Sequence, residues 1–425
     1  MRFRRALVIS LALSAALSVQ SCGTSGPVEP TGTGGPTTTS LGVEPATTLP
    51  ATKTTLAPTT TTTIPEDDDP AARIQAALDD VAAGWPAPGL MLWVDTPEQV
   101  IVATSGWADR EEQIPIQPDR PFYTGSITKM IVATVVMQLV EEGSIDLDDP
   151  LSNWFPDISL QPRGDEITIR HLLAHKSGIR YFGSIPEIRQ ALWGDGEPFD
   201  PRAVAETMIR DYPLEQTPGI LSYSSTNYTI LGVLIEEITG QPVQEVIRQR
   251  ILEPLGMDHT YLATYEEPIG DLLPTYSDFV ALDGSGGFIN QHPNLDRVDP
   301  EFAALYFRTT WTSGGLVSTA PDLITFVRAL FNGRLFQDPA TLETMLVFSG
   351  NGSEAEFGLG VMRAESNGIE LLGHFGHSSG HVAGVVYSRE YDCAIVVMAN
   401  SDAQSGDYLI RLTYLGLEAL EPVAS

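Results

Sequence analysis

Ser126-Ile127-Thr128-Lys129 opens the stretch that decides the reading of this chain, because it sets a hydroxyl and an amine three residues apart at the mouth of a helix. From Ile127 to Glu142 the sequence runs without Gly or Pro and is rich in Ile, Val, Met and Leu, and Gly143 follows as a stop. Positions i and i+3 share a helix face, so the Ser126 and Lys129 side chains can meet. A serine hydroxyl is a weak nucleophile until a base takes its proton. An amine serves as that base only when its pKa falls, through desolvation or a neighbouring cation. The apolar helix around Lys129 offers the desolvation, and the backbone N–H groups at the helix start point to where an oxyanion would form. Alone, the spacing is weak evidence, since an N-cap serine with a surface lysine has it too.

Upstream, Met1 to Arg5 carries three arginines, Ala6 to Val19 is apolar but too short to span a bilayer, and the small Ser21 precedes Cys22. Residues 1–22 therefore read as a secretory signal. Val19-Gln20-Ser21-Cys22 resembles a bacterial lipobox, which implies lipidation of Cys22 and a protein anchored on the outer face of the cell membrane; plain cleavage and release is the alternative. Residues 23–69 are dominated by Thr, Pro, Ser and Gly, include the run Thr59 to Thr63, and read as a disordered tether. Residues 70–425 are long enough for a core with a second lobe. The formal charge of −31 argues against nucleic acid and anionic lipid as partners, leaving the lipid anchor as the membrane contact. Cys22 and Cys393 are the cysteines; Cys393 sits in the apolar run to Ala399 and is expected as a buried free thiol.

Pro70 to Ala83 is patterned as an amphipathic helix, and Gly89 to Val94 and Gln99 to Ser105 as strands joined by a turn around Asp95-Thr96-Pro97-Glu98. Helical patterns over Ile169 to His175, Pro201 to Asp211, Asn227 to Ile238 and Pro242 to Leu252 fill the centre. Strand patterns return at Phe357 to Met362, Ile369 to Leu372, His381 to Tyr387 and Cys393 to Ala399, before a closing helix from Gly406 to Leu420. This order predicts an α/β (α+β) fold: one antiparallel sheet built from both ends of the domain, flanked by helices, with an inserted all-helical lobe and a cleft between the two.

Three further stretches carry a resemblance. Ile167-Thr168-Ile169-Arg170-His171-Leu172-Leu173-Ala174-His175-Lys176-Ser177-Gly178, Pro254-Leu255-Gly256-Met257 and Ser313-Gly314-Gly315-Leu316-Val317-Ser318-Thr319, together with S-x-x-K, resemble the serine β-lactamase and D-alanyl-D-alanine carboxypeptidase family, in the class C branch that also contains esterases. The likeness runs from about Ala71 to Leu420 and implies a β-lactamase/transpeptidase-like fold. That branch has a Tyr-x-Asn element. Ser222-Tyr223-Ser224-Ser225 keeps the tyrosine and has Ser225 for the asparagine, so the resemblance gives Tyr223 a proton-relay role with Lys129 and puts Ser225 beside the substrate. A phenol near a lysine ammonium loses its proton more readily than usual. The third element, Lys-Thr-Gly or His-x-Gly, is matched by His374-Phe375-Gly376, which follows a strand pattern and precedes a Gly-rich turn. By resemblance His374 faces Ser126 across the cleft, Phe375 and Gly376 border the substrate, Gly314 and Gly315 line the other rim, and the N–H groups of Ser126 and His377 form the oxyanion hole.

His374, His377 and His381 also invite a metal reading. A strand-to-turn segment gives them no common focus, and no Cys or H-E-x-x-H pattern supports one, so no metal is expected. His171 and His175 read as scaffold. Thr319-Ala320-Pro321-Asp322 reads as a capping box with an early proline. The expectation is an acyl-enzyme hydrolase without a cofactor, acting on a cell-wall peptide, a β-lactam or an ester; a non-catalytic binding relative is the rival, and the oligomeric state is open.

Overall fold

Asp69 accepts the Ala71 N–H at 3.0 Å and Pro70 needs no donor partner in the first turn, so helix α1 (Pro70–Gly84) begins where the pattern starts. The computed structural model describes residues 69–418, except 86, 156–164, 195–197, 278, 283–287, 291–295, 351–355, 367 and 404. The expected signal, Cys22 and the tether up to residue 68 lie outside the described residues. Strands β1 (Gly89–Asp95), β2 (Val100–Asp109), β3 (Ile114–Pro115) and β4 (Phe122–Tyr123) lead to helix α2 (Thr128–Glu141). The central part carries α3 (Ile169–Leu173), α4 (Pro201–Asp211), α5 (Thr226–Thr239), β5 (Tyr261–Leu262) and α6 (Pro300–Gly314). There follow β6 (Leu316–Ser318), α7 (Ala320–Phe331), β7 (Glu356–Phe357), β8 (Met362–Ser366), β9 (Ile369–Ser378), β10 (His381–Ser388), β11 (Cys393–Ala399) and α8 (Ser405–Glu418).

The main sheet is antiparallel in the order β7-β8-β9-β10-β11-β1-β2-β3, so the two ends of the domain meet at its centre, with Leu90 opposite Ala399 and Asp95 opposite Ala394. Alternation along the strands makes the two faces. Leu92, Val94, Ile395 and Val397 pack with Ile74 and Leu78 of α1 and Leu409 and Leu412 of α8. Met91, Val385, Val396 and Met398 turn the other way, into a core with Met130 and Val135 of α2 and Leu323 and Val327 of α7. Each such side chain contributes roughly 1.5–3 kcal/mol on burial, which is why the alternation settles the register. Cys393 is 1 % exposed on the α8 face, and burial pushes its thiol pKa up to about 12.

The inserted lobe is not helical throughout. β5 pairs with β6, which also pairs with β4, and segments 276–277 and 296–297, and 279–282 and 288–290, form two further short ladders. Segments this short carry no readable period. Two strand boundaries also move: the expected strand Phe357 to Met362 is split into β7 and β8, and the one expected to stop at Leu372 runs to Ser378. Thr319 caps α7 by accepting the Asp322 N–H, but the Asp322 carboxylate turns away to the His259 N–H and the Thr260 hydroxyl, so only half of the expected box forms.

Candidate active site

Ser126 sits in a 3-10 turn, Gly125–Ile127, just ahead of the α-helix. Two glycines make that turn possible. Gly125 has φ +53°, and a Cβ on it would lie 2.8 Å from the His377 nitrogen; a Cβ on Gly376 would lie 1.8 Å from the Thr124 oxygen and 3.0 Å from the Ser126 nitrogen. Strand β9 therefore runs backbone against backbone along the turn, and the amides of Ser126 and His377 flank the contact. Gly376 lies within the strand, where the sequence pattern placed it just before a turn. Gly314 rests against Gly125, whereas a Cβ on Gly315 would meet the Trp311 oxygen at 2.7 Å, so Gly315 answers to packing.

Lys129 is fully buried, and no carboxylate pairs with it among the described residues. Its Nζ lies 2.9 Å from Ser126 Oγ and donates to the Ser313 carbonyl at 2.6 Å. That carbonyl is aimed by a kink in α6, where Trp311 takes φ 35° and ψ −122°, a conformation natural to glycine. Desolvation drives the Lys129 pKa well below its ordinary value, so the amine gives up its proton more readily than an exposed lysine and is suited to accept that of the serine.

The Tyr223 hydroxyl shares a hydrogen bond with the Ser126 side chain, and its ring lies 5.1 Å from Lys129 Nζ. Burial raises its pKa, with the Ser126 bond a smaller opposing effect. The expected easy loss of the phenol proton is thus corrected: in a desolvated site Tyr223 holds its proton more tightly than an exposed phenol. His374 is 2 % exposed on the same face of β9 as Gly376, with its ring 6.4 Å from that of Tyr223. Its Nδ1 donates to the Phe375 carbonyl at 2.5 Å, and burial, then Lys129, lowers its pKa to about 3.

Phe375 does not border the substrate. Alternation sends it to the opposite face of the sheet, where it covers Gly384 and packs with Leu371, Val386 and Ile410 under α8. Ser225 is buried at the start of α5, its carbonyl accepting the Tyr228 and Thr229 N–H groups. The other histidines diverge. The His377 ring bonds the Asp402 backbone, His381 Nδ1 accepts the Tyr123 N–H at 3.1 Å, and His171 caps α3 through Thr168. Among the described residues no group of three His, Cys, Asp or Glu side chains could hold a metal ion. His175, assigned to scaffold from the sequence, lies beyond the end of α3 with its ring stacked on Tyr223. Its place in the resembling motif does not single it out, because His171 lies in the same motif.

Residues 74–419 match the family model described as Beta-lactamase. The chain is 28% identical over 296 residues to a putative penicillin-binding protein PbpX of Bacillus subtilis, covering 67% of this chain and 66% of that protein. It is 32% identical over 206 residues to the esterase EstB of Burkholderia gladioli, covering 44% of this chain and 50% of that one. The chain thus spans half to about two-thirds of the length of these curated relatives. A solved D-amino acid amidase from Ochrobactrum anthropi SV3 superposes with a TM-score of 0.68 at 29% identity, covering 81% of this chain and 97% of that one. With its family model spanning nearly the whole described fold, this chain belongs to the β-lactamase family.

Proposed function

We propose that this protein is a serine hydrolase that forms an acyl-enzyme on Ser126. The observation that carries the reading is a fully buried Lys129 without a counter-ion among the described residues, 2.9 Å from Ser126 Oγ, with Tyr223 on the same oxygen. As Oγ attacks a carbonyl, its proton passes to the Lys129 amine, and the oxyanion is held by the N–H groups of Ser126 and His377. Tyr223, protonated at rest, gives its proton to the leaving group and is reprotonated from the Lys129 ammonium. Water then attacks the acyl carbonyl, yields its proton to the same pair and frees the acid. Gly314 and Gly376 line the cleft.

For the substrate, the structure favours an ester or amide whose acyl portion needs no carboxylate anchor. His374 is neutral where the Lys-Thr-Gly form of the element has a lysine, and the threonine of that form, which the resemblance implies helps to hold a substrate carboxylate, is replaced by Phe375, turned into the core. This agrees with the esterase and amidase among the similar proteins. Carboxypeptidase or β-lactamase action on a cell-wall peptide or β-lactam is the second reading, favoured by the penicillin-binding relative and the export signal. The test is intact-protein mass spectrometry of wild type and Ser126→Ala with a penicillin and, separately, p-nitrophenyl butyrate. Ester turnover by wild type alone supports the first reading; a lasting penicilloyl adduct or ring-opened penicillin supports the second. If neither compound acylates wild type, the cleft binds without hydrolysing. We further propose export and anchoring through Cys22, in which case Cys22→Ala moves the protein from the membrane fraction to the medium.

A further inference from the structure

Three contacts tie His175 to the segment around Tyr223. Its carbonyl accepts the Ser222 N–H at 2.8 Å, its Nδ1 accepts the Ser224 N–H at 3.2 Å, and its ring stacks on the phenol with centroids 4.0 Å and planes 26° apart. The residues before, at and after Tyr223 therefore lean on one residue, the first on its backbone and the other two on its side chain. His175 itself holds φ 55°, a left-handed backbone that costs a non-glycine residue about 1–3 kcal/mol unless its surroundings enforce it. Packing by Tyr228 and Phe357, at 5.2 and 6.0 Å between ring centroids, supplies that enforcement.

The hydrogen bonding also selects a tautomer. A backbone N–H can be accepted only by an unprotonated ring nitrogen, and the Asn227 Nδ2 amine, 3.5 Å away, approaches the same Nδ1. The ring proton is therefore on Nε2, a buried atom with no hydrogen-bond partner among the described residues. Burial, and after it the positive charge that Lys129 and His374 carry when protonated, lower the pKa of this imidazole. A proton on Nδ1 would set donor against donor at Ser224.

We propose that His175 is a positioning residue for Tyr223: as the Nε2–H tautomer it clamps the Ser222–Ser224 backbone and keeps the phenol on Ser126, so that proton transfer rather than substrate binding depends on it. This rests on the hydrolase reading, and the test separates the two. In nitrogen-15 NMR near neutral pH, with the resonances assigned by their loss in His175→Asn, Nδ1 is expected unprotonated; an Nδ1–H tautomer or an imidazolium overturns the clamp whether or not the protein is a hydrolase. With p-nitrophenyl butyrate, His175→Ala is expected to acylate about 10²-fold more slowly. Its affinity for phenylboronic acid, which reports Ser126 and the oxyanion amides, changes by no more than a few-fold. His175→Asn recovers part of the rate, because its Oδ1 can accept the Ser224 N–H and Asn tolerates the left-handed backbone. Wild-type acylation by His175→Ala, or a loss of boronate affinity in proportion to rate, overturns the positioning role. A wild type that no ester acylates overturns the hydrolase reading instead, and the tautomer then decides the clamp.

Discussion

Replacing His374 by Asn should remove one buried imidazole's share of the acid-induced loss of stability. The imidazole is 2 % exposed, donates through Nδ1 to the Phe375 carbonyl, and has its pKa lowered from 6.5 to about 3 by burial and then by Lys129. The unfolded chain takes up this proton near the ordinary value, while the folded chain refuses it until about pH 3. Stability is therefore whole above the upper value and is lost progressively as the pH falls to the lower one. At about pH 4 the loss amounts to about 3 kcal/mol, at ~1.4 kcal/mol per pH unit below the upper value. That is a large share of the ~5–15 kcal/mol that holds a typical domain. Asn keeps a donor for the Phe375 carbonyl and does not titrate. Urea unfolding of both proteins at neutral pH and at about pH 4 should show wild type losing about 3 kcal/mol more than His374→Asn. Equal losses would refute the argument that burial holds this imidazole neutral.

Lys129→Met should abolish acylation yet raise the melting temperature, because burial makes the folded chain bind the amine's proton less tightly than the unfolded chain does; calorimetry showing a lower melting temperature would contradict this. By the same sign, acylation by p-nitrophenyl butyrate should fall on the acid side as Lys129 takes up a proton, and a rate that stays level into acid would exclude the amine as the base. Gly376→Ala should eliminate the acyl-enzyme seen by mass spectrometry, since its Cβ would sit 1.8 Å from the Thr124 oxygen and push the Ser126 turn away. Phe375→Ala should cost about 3–5 kcal/mol in urea unfolding while leaving the acylation rate of the folded protein little changed; a rate loss without a stability loss would return Phe375 to the cleft.

The sheet was legible because its central strands are apolar runs of strand length, buried at every position in β10 and β11, and β1, β2, β10 and β11 lie within a few residues of their patterns. The pattern misled at β9, where Gly373 and Gly376 look like breakers. In the fold they are where other backbone comes close: a Cβ on Gly373 would lie 2.0 Å from the Val385 oxygen, and one on Gly376 would strike Thr124. Once the strand runs to Ser378, alternation keeps His374 on the face where the resemblance had it and sends Phe375 to the core, which the motif alone could not do. The Ser126 and Lys129 pairing was legible because it is local to one turn. The protonation of Tyr223 was not, since it depends on how completely a distant part of the chain dries the site. His175 escaped for a related reason: it reaches Tyr223 only through the tertiary fold, and nothing in its local sequence separates it from His171, whose job is to cap a helix.

The pairing of β1 with β11 also dictates an order of events. Met91 faces Met398, so the strand made first at the domain's start must wait for a partner roughly 300 residues later, and long-range pairing of this kind is slow. Until β11 emerges, the hairpin of β1 and β2 has an open edge, while the helices between Thr128 and Phe331 can already pack on one another. Chains released at increasing lengths should therefore gain protease resistance first in that middle segment, and acylation only after residue 399. If the middle segment stays protease-sensitive until the last strand is added, the whole domain forms in one step.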